Sequence, residues 1–123
     1  LVRQACAERS PIPPATIALF RSLDGHPIGL VTSSCRSEVE PLLHHAGVLS
    51  CFHTLVCAED CTRHKPDPEP YLNARRLLAV TDGLAFEDSD SGLASAEAAG
   101  FTALHIDEPS HLASIVTGAL AAR

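Results

Sequence analysis

The sequence of 123 residues contains no methionine and no tryptophan, a single lysine, Lys65, and a single tyrosine, Tyr71. A translated chain starts with methionine, so a sequence opening at Leu1 reads as one whose first segment has been processed or truncated away. The scarcity of lysine belongs to a wider acidic balance, with nine basic residues against 15 acidic ones and a formal net charge of −6. Binding to nucleic acid needs clustered Lys and Arg to neutralise phosphates, so no nucleic-acid partner is expected. Long hydrophobic runs are also absent. The longest, Ile28 to Val31 and Ile115 to Leu120, fall far short of the roughly 20 residues that cross a bilayer, which excludes a membrane partner of that kind. No basic segment followed by an apolar run opens the chain as a signal peptide would.

The five cysteines, Cys6, Cys35, Cys51, Cys57 and Cys61, are odd in number and lack the spacing of a disulfide framework. Reduced thiols in a cytoplasmic setting are expected. Cys57 and Cys61 followed by His64 come closest to a zinc set, but no second close pair completes four ligands. Cys51 and Cys57 read instead as small core residues, and His44, His45 and His111 as solvated positions on helix faces.

What is present, 46% apolar residues with helical and strand-like stretches in alternation, fits one α/β domain. Pro11 to Pro14 marks a turn and helix entry before a short helix over Thr16 to Leu23. Ile28 to Val31 reads as a buried strand. A helix follows over Ser37 to His45, with Gly47 at its end, then a strand over His53 to Cys57. Pro66, Pro68 and Pro70 hold the next loop extended, and Tyr71 to Leu78 is helical with Leu72, Leu77 and Leu78 inward. Leu84 to Phe86 is the third strand and Gly92 to Ala99 a small-residue helix stopped by Gly100. Thr102 to Ile106 is the fourth strand, and Ser110 to Leu120 closes the chain as a helix. Such βαβ units build a mostly parallel sheet covered on both faces, in which function gathers just past the carboxyl ends of the strands.

Those ends carry three chemically suggestive groups. Thr32, Ser33 and Ser34 offer hydroxyls and helix N–H groups to an anion such as phosphate, while Ser34 or Ser37 could equally serve as a plain helix cap. Lys65 can neutralise a phosphoryl group or its attacking carboxylate, although a lone lysine is most often a solvated one. Glu87, Asp88 and Asp90 crowd three carboxylates at a strand end, which suits Mg²⁺, with Asp90 better read as the N-cap of the next helix.

In order and spacing, Leu30-Val-Thr32-Ser-Ser, then Lys65-Pro-Asp-Pro-Glu-Pro-Tyr71, then Phe86-Glu87-Asp88-Ser-Asp-Ser-Gly92 resemble the haloacid dehalogenase-like hydrolases. The branch most similar is that of β-phosphoglucomutase and small sugar-phosphate phosphatases, because Ala58-Glu-Asp60 precedes the Lys-Pro loop. The resemblance implies a Rossmann-like three-layer α/β/α core. It implies a Mg²⁺-dependent phosphatase or phosphomutase acting on a small phosphorylated metabolite, such as a sugar phosphate, through an aspartyl-phosphate. Thr32, with the backbone of Ser33, would hold the transferring phosphoryl group, and Lys65 would bridge it to the nucleophile. Glu87 and Asp88 would hold Mg²⁺, and Ser34 and Arg36 would touch a second phosphate or the substrate. A monomer is expected.

The family's nucleophile lies in an Asp-x-Asp motif on its first, central strand, and no segment here matches it. Asp24-Gly25 has no apolar strand leading into it and has Ser22 where the nucleophile would stand. Asp88-x-Asp90 follows a strand but comes after Lys65-Pro66 in the chain. The reading is therefore a partial core lacking its central strand, with residues 27–123 forming that core and residues 1–26 the possible end of cap or linker helices. The alternative is a non-catalytic relative that binds phosphate or metal without turnover.

Overall fold

A computed structural model describes residues 12–121. Helices and strands alternate through them: α1 (Pro14–Ser22), β1 (Gly29–Val31), α2 (Arg36–His45), β2 (Thr54–Val56), α3 (Glu69–Leu78), β3 (Leu84–Glu87), α4 (Asp90–Ala98), β4 (Thr102–His105) and α5 (Leu112–Ala121). Short 3₁₀ turns at Leu49–Cys51, Ala58–Asp60 and Pro109–His111 join them. Residues 1–9, the possible last cap helix, lie outside the described residues.

All strand pairing is parallel. Gly29 lies opposite Thr54 and Val31 opposite Val56, while Leu84 lies opposite Thr102 and Glu87 opposite His105. Among the described residues these form two pairs, β1 with β2 and β3 with β4, and no strand hydrogen-bonds one pair to the other. Parallel neighbours require long crossovers, and α2, α3 and α4 supply the covering helices.

Successive strand side chains face opposite ways, and this alternation sorts the core into two halves. Leu30 and Phe86 enter one half with Leu19 and Phe20 of α1, Val39 and Leu43 of α2, and Leu112 and Val116 of α5. Val31, Val56 and Ala85 enter the other with Tyr71 and Ala74 of α3, Ala96 of α4, and Phe101. The result is the expected three-layer α/β/α arrangement, with every strand end of interest on one side.

Several local expectations are corrected. Leu72 and Leu77 do not face inward; they are 44% and 52% exposed, because α3 buries Pro70, Tyr71 and Ala74. The stripe is set by the one aromatic side chain, whose burial outweighs that of either leucine. The N-cap of α2 is Cys35, with no side-chain cap bond, rather than Ser34 or Ser37. Ser89, not Asp90, caps α4 by accepting the Gly92 N–H at 3.1 Å, which leaves Asp90 as the first residue of that helix. Other readings stand: Cys57 is fully buried, Cys51 packs half-buried against the core, and His44, His45 and His111 are exposed.

Chain reversals after α2 and α4 use Gly47 and Gly100 at φ +74° and +93°. The turn after α3 instead places Ala79 at φ 55°, the left-handed region where a Cβ clashes with the backbone. Ala79→Gly is expected to stabilise the fold by about 1 kcal/mol, measured by urea denaturation.

Candidate active site

β1 leads into Thr32, whose N–H continues the ladder by donating to the Val56 carbonyl at 2.9 Å. The Thr32 hydroxyl oxygen accepts the Ser34 N–H at 3.1 Å, closing a tight turn, and the Ser34 carbonyl accepts the Ala58 N–H at 2.9 Å. Thr32 and Ser34 are buried while Ser33 is exposed at the apex. Among the described residues the Ser33 N–H has no hydrogen-bond acceptor.

Lys65 reaches this strand end from the loop between β2 and α3. Its ammonium donates to the Val31 carbonyl at 3.2 Å and to Glu87 Oε2 at 2.7 Å. The lysine side chain is 5% exposed and the glutamate fully buried, so the pair is shielded from water. Tyr71 holds both partners: its hydroxyl donates to the same Glu87 oxygen, and its ring centre lies 5.4 Å from the ammonium. The other carboxylate oxygen lies against Gly92, where a Cβ would come within 2.0 Å of it. Only a glycine at the start of α4 leaves room for this glutamate.

The Lys65 loop is braced from both sides. Ser95 in α4 donates to the Asp67 carbonyl at 2.7 Å. Glu69 accepts the hydroxyl and N–H of Thr62 and the N–H of Arg63, and the hydroxyl bond from Thr62 holds its carboxyl below the usual range. Asp88 follows Glu87 and is exposed at the lip, beside Ser89.

Arg36 is directed elsewhere. Its N–H donates to Glu59 at 3.0 Å, and its guanidinium meets the Leu55 carbonyl at 3.2 Å, Glu40 at 3.4 Å, and Asp60. The chain therefore brings Thr32, Ser33, Ser34, Lys65, Glu87 and Asp88 to one sheet end and leaves Arg36 neutralised beyond it. A Glu59 carboxylate, rather than a ligand, lies at the first N–H of α2. Burial pushes the Cys57 thiol up to about 11, which keeps it protonated and unreactive in the core.

Tyr71 and Glu59 escaped the sequence reading. Tyr71 had a usable signal as a lone hydroxyl-bearing aromatic on a helix face, since such a hydroxyl needs a buried partner. Glu59 stood in the Ala58-Glu-Asp60 signature, but its contact with the Arg36 N–H had no signal, because it depends on the 3₁₀ turn after β2. An apolar cavity of about 190 Å³, lined by Leu23, Ile28, Leu84, Phe86 and Val116 among others, opens at the opposite ends of β1 and β3, away from these groups.

Two consecutive carboxylates, one buried and one exposed, are the oxygen donors a hard cation such as Mg²⁺ takes. Glu87 already faces a positive charge in the Lys65 ammonium. Among the described residues no third His, Cys, Asp or Glu gathers with them, so Glu87 and Asp88 would supply only part of a Mg²⁺ site.

The haloacid dehalogenase-like hydrolase family matches residues 11–106. The chain belongs to this family. It is 40% identical over 76 residues to the validoxylamine A 7'-phosphate phosphatase of Streptomyces hygroscopicus subsp. limoneus, covering 60% of this chain and 36% of that protein. It is 34% identical over 82 residues to the fructose-1-phosphate phosphatase YqaB of Escherichia coli K12, covering 65% of this chain and 44% of that one. In structure it resembles the β-phosphoglucomutase of Clostridium difficile, with a TM-score of 0.69 at 23% identity over 80% of this chain and 45% of that one. The chain thus spans less than half the length of each of these proteins.

The buried pair yields a double-mutant prediction. Lys65→Met and Glu87→Gln each leave one charge buried without its partner and are expected to cost about 3–5 kcal/mol. The double variant is expected to cost less than the sum, measured by urea denaturation.

Proposed function

We propose that this chain carries the phosphate-handling part of a Mg²⁺-dependent phosphatase or phosphomutase acting on a small phosphorylated metabolite, a sugar phosphate. The observation that carries this reading is the Lys65 ammonium, which bridges the residue before Thr32 and the residue before Asp88 in a water-shielded position. The relatives acting on validoxylamine A 7'-phosphate and fructose 1-phosphate support the substrate class.

The chemistry follows from charge. A carboxylate attacking a phosphate meets mutual repulsion, and a buried lysine at the point of attack lowers it. The Thr32 hydroxyl and the Ser33 N–H supply donors to the phosphoryl oxygens, and the tight turn at Ser34 holds them in place before a substrate arrives. Glu87 and Asp88 would hold Mg²⁺, which supplies further neutralisation of phosphate charge when bound. The attacking aspartate, which would carry the phosphoryl group as an aspartyl-phosphate, comes from a segment not among these 123 residues. Ser34, buried in the turn, orients Thr32, and Arg36 reaches a substrate only by leaving Asp60 and Glu40. A cytoplasmic setting suits the four described cysteines, all of them free thiols.

Asp88 is exposed and outside the buried pair, so it offers the clean test. In the enzyme containing this chain, Mg²⁺-dependent hydrolysis of sugar phosphates is expected to fall at least 100-fold in Asp88→Asn, with the thermal midpoint little changed. Activity near that of the native enzyme, or activity indifferent to chelation of Mg²⁺, would overturn the reading.

A further inference from the structure

Tyr71 meets the Glu87–Lys65 pair in two ways at once. Its hydroxyl donates to Glu87 Oε2, the oxygen that also takes Lys65, and its ring face lies 5.4 Å from the ammonium. That distance is within the range of a cation–π interaction, and a desolvated site strengthens it. The ring is itself fixed, fully buried beside Phe101 at a centroid distance of 5.6 Å. Helix α3 carries it on the stripe formed with Pro70 and Ala74.

The geometry assigns Tyr71 as the positioning residue of the site. Acting through Glu87, it holds the Lys65 ammonium at the carbonyl of Val31, beside Thr32. A lysine side chain has four rotatable bonds and a compact charge that salt-bridges in many directions. A single carboxylate would leave it free to swing about that contact. Here three acceptors of different kinds, the Val31 carbonyl, the Glu87 carboxylate and the Tyr71 ring, surround the ammonium from separate elements, and the Tyr71 hydroxyl fixes the carboxylate. The consequence for phosphate binding rests on the function proposed above, whereas the immobilisation of Lys65 does not.

Lys65 is the only lysine in the sequence, so ¹⁵N-lysine labelling of the full chain places one side-chain ammonium signal in the NMR spectrum. In the native chain, without metal or phosphate, this ammonium is expected to exchange hydrogen with water at least tenfold more slowly than free lysine. Tyr71→Phe keeps the ring, its burial and the contact with Phe101 but removes the hydroxyl. It is expected to speed exchange at least threefold while circular dichroism stays native, and Glu87→Gln is expected to speed it further. Exchange in Tyr71→Phe equal to native would overturn the assignment and leave Tyr71 a packing residue. Should Tyr71→Phe fail to fold, the native chain still decides, because exchange there as fast as free lysine would also overturn it. On the same samples, inorganic phosphate titrated with Mg²⁺ is expected to bind Tyr71→Phe at least threefold more weakly than the native chain. Equal affinity in the two would remove Tyr71 from ligand positioning. A native chain that binds no phosphate yet has a slow lysine released by Tyr71→Phe would instead sink the functional reading and keep the positioning role.

Discussion

The Lys65–Glu87 ion pair is the contact on which the working end of this molecule depends. It joins the ends of β1 and β3, two strands that belong to separate parallel pairs among the described residues. A charge pair this deep survives only if its remaining bonding capacity is met, since desolvation otherwise exceeds the attraction. The Val31 carbonyl and the Tyr71 hydroxyl help to meet it, and Gly92 provides the space. Sequence features as distant as a lysine in a proline-rich loop and a glycine in the first turn of α4 are thus parts of one local solution.

The packing around the pair follows the same need for close approach. The half of the core beneath α3 and α4 is made of Ala74, Ala85, Ala96 and Ala99 around Tyr71 and Phe101. Small side chains let both helices come near the strands, and Ser95 uses that proximity to reach the backbone of the Lys65 loop. The opposite half, beneath α1, α2 and α5, is filled by leucine, isoleucine, valine and phenylalanine and carries no part of the site. One face of the sheet is built for close, specific contact and the other for bulk burial.

Strands, helices and the residues at strand ends were legible from periodicity and from glycine and proline punctuation, because those signals act over a few neighbouring residues. Cap identities were less so: Ser89 and Asp90 are both good caps, and only the path of the chain out of β3 chooses between them. The register of α3 was misread because leucine counts as strongly apolar anywhere, whereas the helix rotated to bury a tyrosine whose hydroxyl has its partner in β3. Arg36 followed a similar logic. Glu40, one turn along α2, together with the Leu55 carbonyl of β2 and Asp60 of the turn after it, captured its guanidinium, and only the Glu40 contact is written in the local sequence.

By itself the sequence determined the alternation of elements, the three-layer class and the residues that stand past the carboxyl ends of the strands, because these depend on short-range patterns of burial and turn formation. The tertiary structure alone decided which of those residues meet. Lys65 pairs with Glu87 rather than with solvent, Tyr71 completes the pair, and Arg36 is drawn away, because partners 16 to 34 residues apart in the chain become neighbours only when the sheet and its covering helices pack.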